Sequence, residues 1–181
     1  MFQKYLLEKS IREKEQKQSQ NADKRNESWF FDRFVVDKTR HALGFDNTLF
    51  CVTGSAPIAP ETVKFLKAIL GVGFKQGYGL TESMAGMTIS KAYEKDPGSC
   101  GVGGITCEFR LRSVPEMNYY VDDKDGIPKG ELLLRGPQVF PRYFKNEKAT
   151  LESFDKDGFF ITGDIGKVDT KNNNKVYIID R

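Results

Sequence analysis

The sequence predicts an α/β fold in which a parallel βαβ portion is followed by an antiparallel, β-rich, barrel-like portion. Three observations carry that expectation. A short apolar run, a proline-started helical pattern and a second extended run follow one another within about thirty residues, the signature of one βαβ crossover. From Cys107 onward, short period-two segments alternate with turn clusters, as antiparallel strands do. All 17 Gly lie between Gly44 and Gly166 and all 7 Pro between Pro57 and Pro141, so the chain before Gly44 is a different material.

In order along the chain, residues 1–28 form a charged segment, helical or disordered. Phe2, Leu6, Leu7 and Ile11 supply one short apolar helical face, and an almost wholly polar, solvated run follows to Ser28. The Asn26-Glu27-Ser28 sequon is expected to be chance and not a glycosylation site. Residues 29–43 place apolar side chains at 30, 31, 34, 35, 42 and 43, a helical spacing, with Gly44 as the stop. Residues 47–53 (NTLFCVT) form a strand run of the kind buried on both faces. Pro60 at a first-turn position and Glu61 beside it open a helix through Val63, Phe65, Leu66, Ile69 and Leu70 that Gly71 ends. Residues 73–76 resume extended structure. The domain division that follows is 1–28, an α/β part over 29–106 and a β-rich part over 107–181. In the last, residues 108–114, 131–135, 159–161 and 175–179 read as strands, with turns at 122–126, 156–158 and 171–174.

Composition narrows the function classes. The 181 residues carry 28 Lys plus Arg against 25 Asp plus Glu, a net charge of +3, and 39% apolar residues. No run reaches the roughly 18–20 apolar residues of a membrane span, and the N-terminal stretch lacks the apolar centre of a secretory signal. An intracellular, soluble protein without a transmembrane segment is expected. Weak, unclustered charge argues against a nucleic-acid partner. Cys51, Cys100 and Cys107, odd in number and irregularly spaced, fit reduced thiols better than a disulfide framework or a zinc site.

Several common sites are absent: there is no GxxxxGK[ST] loop, no GxGxxG and no CxxC. His41, the single histidine, sits in a helical pattern beside Arg40 and Ala42, which leaves Ser/His and Cys/His mechanisms without support. Two glycine-bracketed loops remain, each after a predicted parallel strand: Gly54, Ser55, Ala56 and Pro57, and then Gln76 through Ser83 (QGYGLTES). Ligands of open α/β sheets bind at the carboxyl ends of the strands, which gives both loops weight. Gly77 and Gly79 remove side chains on both sides of Tyr78, so its ring is expected to be open for stacking. Thr81 offers a hydroxyl to an anionic oxygen, and Glu82 a carboxylate to a hard cation such as Mg²⁺. Each of these residues also has a plainer role open to it. The glycines could be turn residues, Thr81 the cap of a short helix, Thr162-Gly163-Asp164 a strand connection, and Arg181 a solvated strand end.

The segments GSAP, QGYGLTES, VPEMNY, GELLLRGPQVFPRYFKNEKAT, GFFITGDIG and YIIDR, in this order over residues 29–181, resemble the adenylate-forming acyl-CoA synthetases. VPEMNY narrows the resemblance to the long-chain fatty acid–CoA ligases of eukaryotes. The resemblance implies a ligase that uses ATP, Mg²⁺ and coenzyme A to turn a long-chain fatty acid into acyl-AMP and then acyl-CoA. It implies that Tyr78 stacks on adenine, with Gln76, Gly77 and Gly79 in the same nucleotide loop and Gly54, Ser55, Ala56 and Pro57 shaping the opposite wall. Thr81 would bond the α-phosphate, Glu82 hold the Mg²⁺, Asp164 accept both ribose hydroxyls and Arg181 add a donor to the ribose. It also implies a cytoplasmic setting, with a longer parent protein attached peripherally to the endoplasmic reticulum or another organelle membrane.

The family's phosphate loop lies upstream of the matched region, and its hinge and catalytic C-terminal lysine lie beyond Arg181. The chain is therefore expected to be an incomplete part of the large N-terminal domain, less than roughly a third of a complete member. The expected properties are adenine-nucleotide binding with negligible thioester formation, and aggregation through uncovered apolar strand edges. The alternative is a catalytically inactive nucleotide-binding or interaction module.

Overall fold

The computed structural model describes residues 2–20, 28–94, 96–122 and 126–181. The middle of the expected turn at 122–126, residues 21–27 of the first segment, and Asn26 and Glu27 of the sequon lie outside the described residues. The chain divides into two compact units, Met1–Gln76 with Ser90–Gly98 and Gly77–Ile89 with Ser99–Arg181.

In the first unit, helix α1 (Phe2–Gln20) continues well past Ile11, where the polar composition predicts a solvated run. Its polar part stays helical because Glu13 and Lys17 pair one turn apart at 2.9 Å and because Lys14, only 4% exposed, forms an ion pair with Asp32. Leu7 and Ile11 pack against the cluster Ile69, Leu70 and Val72, so the apolar face of α1 is a core face. Helix α2 (Trp29–Phe31), a π-helical stretch (Asp32–Val36) and α3 (Asp37–Leu43) run on continuously, and Gly44 ends them at φ +76°. That is the left-handed conformation glycine adopts without a Cβ penalty. Buried Arg40 donates through Nη2 to the carbonyls of Asp46 and Thr48 at 2.8 and 2.9 Å, while exposed His41 merely pairs with Asp46.

Strand β1 (Phe50–Thr53), helix α4 (Pro60–Leu70) and strand β2 (Gly73–Tyr78) form the expected crossover. Pro60 occupies the first turn of α4 and Gly71 closes it at φ +59°. Strands β1 and β2 are parallel, Phe50 opposite Gly73 and Thr53 opposite Gln76. One expectation fails here. β1 is an edge strand with Phe50 47% and Val52 57% exposed, not a strand buried on both faces. An apolar run records that a strand can be covered, but coverage depends on a layer packed over the sheet, and the face of β1 that carries Phe50 and Val52 stays exposed.

In the second unit, the end of β2 pairs antiparallel with β3 (Thr88–Ile89), and β3 with β4 (Val102–Gly103), making the first sheet mixed. The second sheet is an antiparallel meander of β5 (Glu108–Arg112), β6 (Lys129–Arg135), β7 (Phe160–Asp169) and β8 (Lys175–Asp180), in that order. The barrel-like portion thus takes the form of an open sheet, since β5 and β8 stand at its two ends without pairing to each other. Leu132 and Leu134 of β6, both fully buried, pack with Val176, Met87 and Tyr78 as this unit's core. A short helix, α5 (Glu147–Glu152), is capped by Asn146, whose Oδ1 accepts from the Ala149 N–H at 3.1 Å.

Candidate functional site

The second unit's site begins with a break in the β6–β7 ladder. Glu131 pairs with Ile165 but Leu133 pairs with Ile161, so Thr162, Gly163 and Asp164 stand against Leu132 alone. A bulge of this kind bends the strand and re-aims its side chains. The bulge is pinned on every side. Thr162 Oγ1 donates to the Leu132 carbonyl at 2.8 Å and accepts from the Asp164 N–H at 3.0 Å. Gly163, at φ +74°, donates its N–H to Glu131 Oε1 at 3.0 Å, and Arg112 holds the other oxygen of that carboxylate. Asp164 therefore leaves the strand at a fixed angle, and it is 5% exposed. Tyr78 Oη donates to Asp164 Oδ2 at 2.8 Å, and Arg181 Nε lies 3.3 Å from Oδ1. A carboxylate has about four lone-pair sites, so two remain for a ligand. Arg181, 78% exposed on its side chain, can contact that ligand too.

Burial and, secondarily, the bond to Asp164 push the Tyr78 phenol above its ordinary value of 10.0. A group whose pKa is raised by folding contributes stability that is complete below the unfolded value and declines as pH rises past it. Unfolding free energy from denaturant melts is thus expected to fall from about pH 10 upward. Tyr78→Phe is expected to flatten that decline, and an unchanged slope would contradict the assignment.

The second carboxylate sits on the turn after β2. Leu80 N–H is capped by Ser83 Oγ at 2.9 Å, which leaves Thr81 exposed at the head of a 3₁₀ turn (Thr81–Ser83) with no capping role. Glu82, half-buried, accepts from Tyr143 Oη at 2.8 Å through Oε1, while its own carbonyl accepts the Phe140 N–H at 2.7 Å. No group of three or more His, Cys, Asp or Glu gathers for a metal among the described residues. Mg²⁺ needs only one or two protein carboxylates when phosphates and water complete its shell, so a single Glu82 beside an exposed Thr81 fits it.

The sequence model of the AMP-binding enzymes matches residues 2–144. The chain belongs to the AMP-binding enzyme family. It is 43% identical over 151 residues to a peroxisomal acyl-CoA ligase of Penicillium roqueforti, 83% of this chain and 21% of that protein. It is 35% identical to the human long-chain-fatty-acid–CoA ligase 1 over 99% of this chain and 24% of that protein. Among solved structures, the A-PCP didomain of a carboxylic acid reductase from Segniliparus rugosus, in complex with AMP, is similar at 29% identity. The TM-score is 0.68, over 86% of this chain and 20% of that one. The chain thus spans about a fifth to a quarter of the length of the curated relatives it matches. No helix among the described residues is long and apolar enough to cross a membrane.

Within this family member, the structure brings Tyr78, Asp164 and Arg181 together, and Glu82 with Tyr143. Two expectations need correction. Tyr78 does not present open ring faces: it is 8% exposed and part of the core. Nor do the flanking glycines serve to uncover it. A Cβ on Gly79 would run into the Ala85 carbonyl, and one on Gly77 would come within 3.2 Å of the Thr88 carbonyl. Both glycines exist for close backbone approach. In the first unit, Gly54, Ser55, Ala56 and Pro57 are exposed after β1, with Ser55 at φ +68°, and buried Gln76 pairs its backbone with Ser90. Tyr143 is not marked as a site residue by any sequence signal. Tyr143 lies inside the GELLLRGPQVFPRYFKNEKAT segment, but nothing local links it to Glu82, 61 positions away.

Proposed function

We propose that this chain supplies the AMP-binding part of a ligase that activates a long-chain fatty acid with ATP and coenzyme A. In that reaction the fatty carboxylate attacks the α-phosphate, breaking its bond to pyrophosphate and giving acyl-AMP. The thiol of coenzyme A then displaces AMP to form the thioester. The observation that carries the reading is Asp164, buried and clamped by Tyr78 and Arg181 with two lone pairs free for a vicinal diol. Asp164 accepts the two ribose hydroxyls, and Arg181 donates to the same sugar. Tyr78 acts through its hydroxyl by fixing Asp164. Thr81, exposed, donates to the α-phosphate. Charge on the phosphates would be offset by Mg²⁺ held at Glu82. Gly54, Ser55, Ala56 and Pro57 form an exposed loop after β1 in the first unit, and Gln76, Gly77 and Gly79 shape the backbone at the end of β2.

The relatives' names support the acyl-CoA product, and the AMP in complex with the carboxylic acid reductase didomain supports the nucleotide. The peroxisome is named for several of the relatives, and an organelle setting, on the cytoplasmic side, is part of the proposal. The test is calorimetric titration of this chain with AMP, followed by an assay for acyl-CoA. AMP binding without thioester formation is expected; absence of AMP binding would refute the assignment.

A further inference from the structure

We infer that Tyr143 is a positioning residue for the Glu82 carboxylate, presetting it for a nucleotide-bound divalent cation. This rests on the nucleotide reading above. One short segment grips Glu82 twice: Phe140 N–H takes its carbonyl at 2.7 Å, and Tyr143 Oη takes its carboxylate at 2.8 Å. The segment is itself anchored. The Phe140 ring packs on Tyr143 at 4.6 Å and on Phe154 and Phe160 at 5.6 and 5.5 Å, and the Tyr143 N–H donates to Thr150 Oγ1 at 3.0 Å. Thr150 in turn donates to the Asn146 carbonyl at 2.8 Å, tying the grip to the capped start of α5.

The choice of donor matters. A lysine or arginine at this place would hold Glu82 equally well but would neutralise it. A phenol is a neutral donor, so it fixes one oxygen and leaves the full negative charge for a cation. Glutamate has three rotatable torsions, and a side chain already held in one rotamer loses less freedom when its ligand arrives. A purely structural tyrosine would have no need of a carboxylate partner that is half exposed to water.

The experiment measures, on this chain, AMP binding without metal and ATP binding with and without Mg²⁺. It compares wild type, Tyr143→Phe, Glu82→Gln and the double variant. Tyr143→Phe is expected to keep AMP affinity within about twofold and to lower the Mg²⁺-dependent gain in ATP affinity about tenfold, the size of a lost hydrogen bond to a charged group. In the Glu82→Gln background the same change is expected to have no further effect. An unchanged gain, or a larger one from a phenol that competes with the cation, would overturn the positioning role. So would wild-type AMP binding with no Mg²⁺ dependence of ATP, whereas failure of AMP itself to bind brings down the nucleotide reading beneath it.

Discussion

Asp164→Ala is expected to weaken AMP binding about a hundredfold or more, because two hydrogen bonds to a charged acceptor disappear together. Geometry sets that size. Asp164 is 5% exposed, its backbone is pinned through Thr162, its Oδ2 accepts from Tyr78 and its Oδ1 is ion-paired with Arg181. The ligand therefore meets a carboxylate whose direction is fixed before binding, which is where hydrogen bonds lose least to reordering. Asp164→Asn separates charge from shape. The amide keeps one acceptor oxygen, but its NH₂ must face either the Tyr78 hydroxyl, which can turn to accept, or the Arg181 donors, which cannot. An intermediate loss is expected for Asn. Melting curves of both variants check that the β7 bulge survives, and calorimetry reads the affinity. If AMP bound both variants as it binds wild type, ribose recognition would not reside at this carboxylate.

What is legible in the sequence, and what is not, follows the range of the interactions. Helix α4 is readable to the residue because its signals are local: Pro60 fixes the first turn and Gly71 takes the left-handed exit. Strands β3 and β4 are not readable. Each is two residues long and exists because Thr88 and Ile89 find backbone partners in Tyr78, Gly77, Gly103 and Val102. The interior of β7 hides its strand character for the same reason that it carries the site. A three-residue bulge breaks the period-two pattern at Thr162-Gly163-Asp164, so the segment reads as a connection between strands. Of the candidate site, Thr81, Glu82, Asp164 and Arg181 are nameable from a resemblance. The pairings are not: Tyr78, named for its ring, meets Asp164 through its hydroxyl across 86 positions, and Tyr143 meets Glu82 across 61. The polar run of α1 shows the converse. Its charges read as solvated, yet Lys14 is buried because Asp32 lies opposite it.

Gly79→Ala is expected to destabilise the second unit by about 1–3 kcal/mol, the range for overpacking against an element that cannot move aside. The added Cβ would run into the Ala85 carbonyl and come within 3.0 Å of the Gly86 nitrogen. Neither atom can give way cheaply. Ala85 and Met84 already hold left-handed backbone at φ +69° and +52°, the Ala85 N–H is bonded to the Leu80 carbonyl at 2.9 Å, and the Met87 N–H to the Tyr78 carbonyl at 2.9 Å. Relieving the clash would open the turn that carries Thr81 and Glu82, so the stability loss and a loss of the Mg²⁺-dependent ATP affinity should appear together. Gly86→Ala is the control. It lies in the same turn, but a Cβ there meets nothing within 4 Å and its φ is outside the left-handed region. That substitution is expected to change stability by no more than about 0.5 kcal/mol, with any gain coming from a less flexible unfolded chain. Denaturant melts of the two variants side by side decide the matter. Equal midpoints would mean that the turn yields, and that Gly79 is a flexible joint in the loop and not a site of enforced close approach.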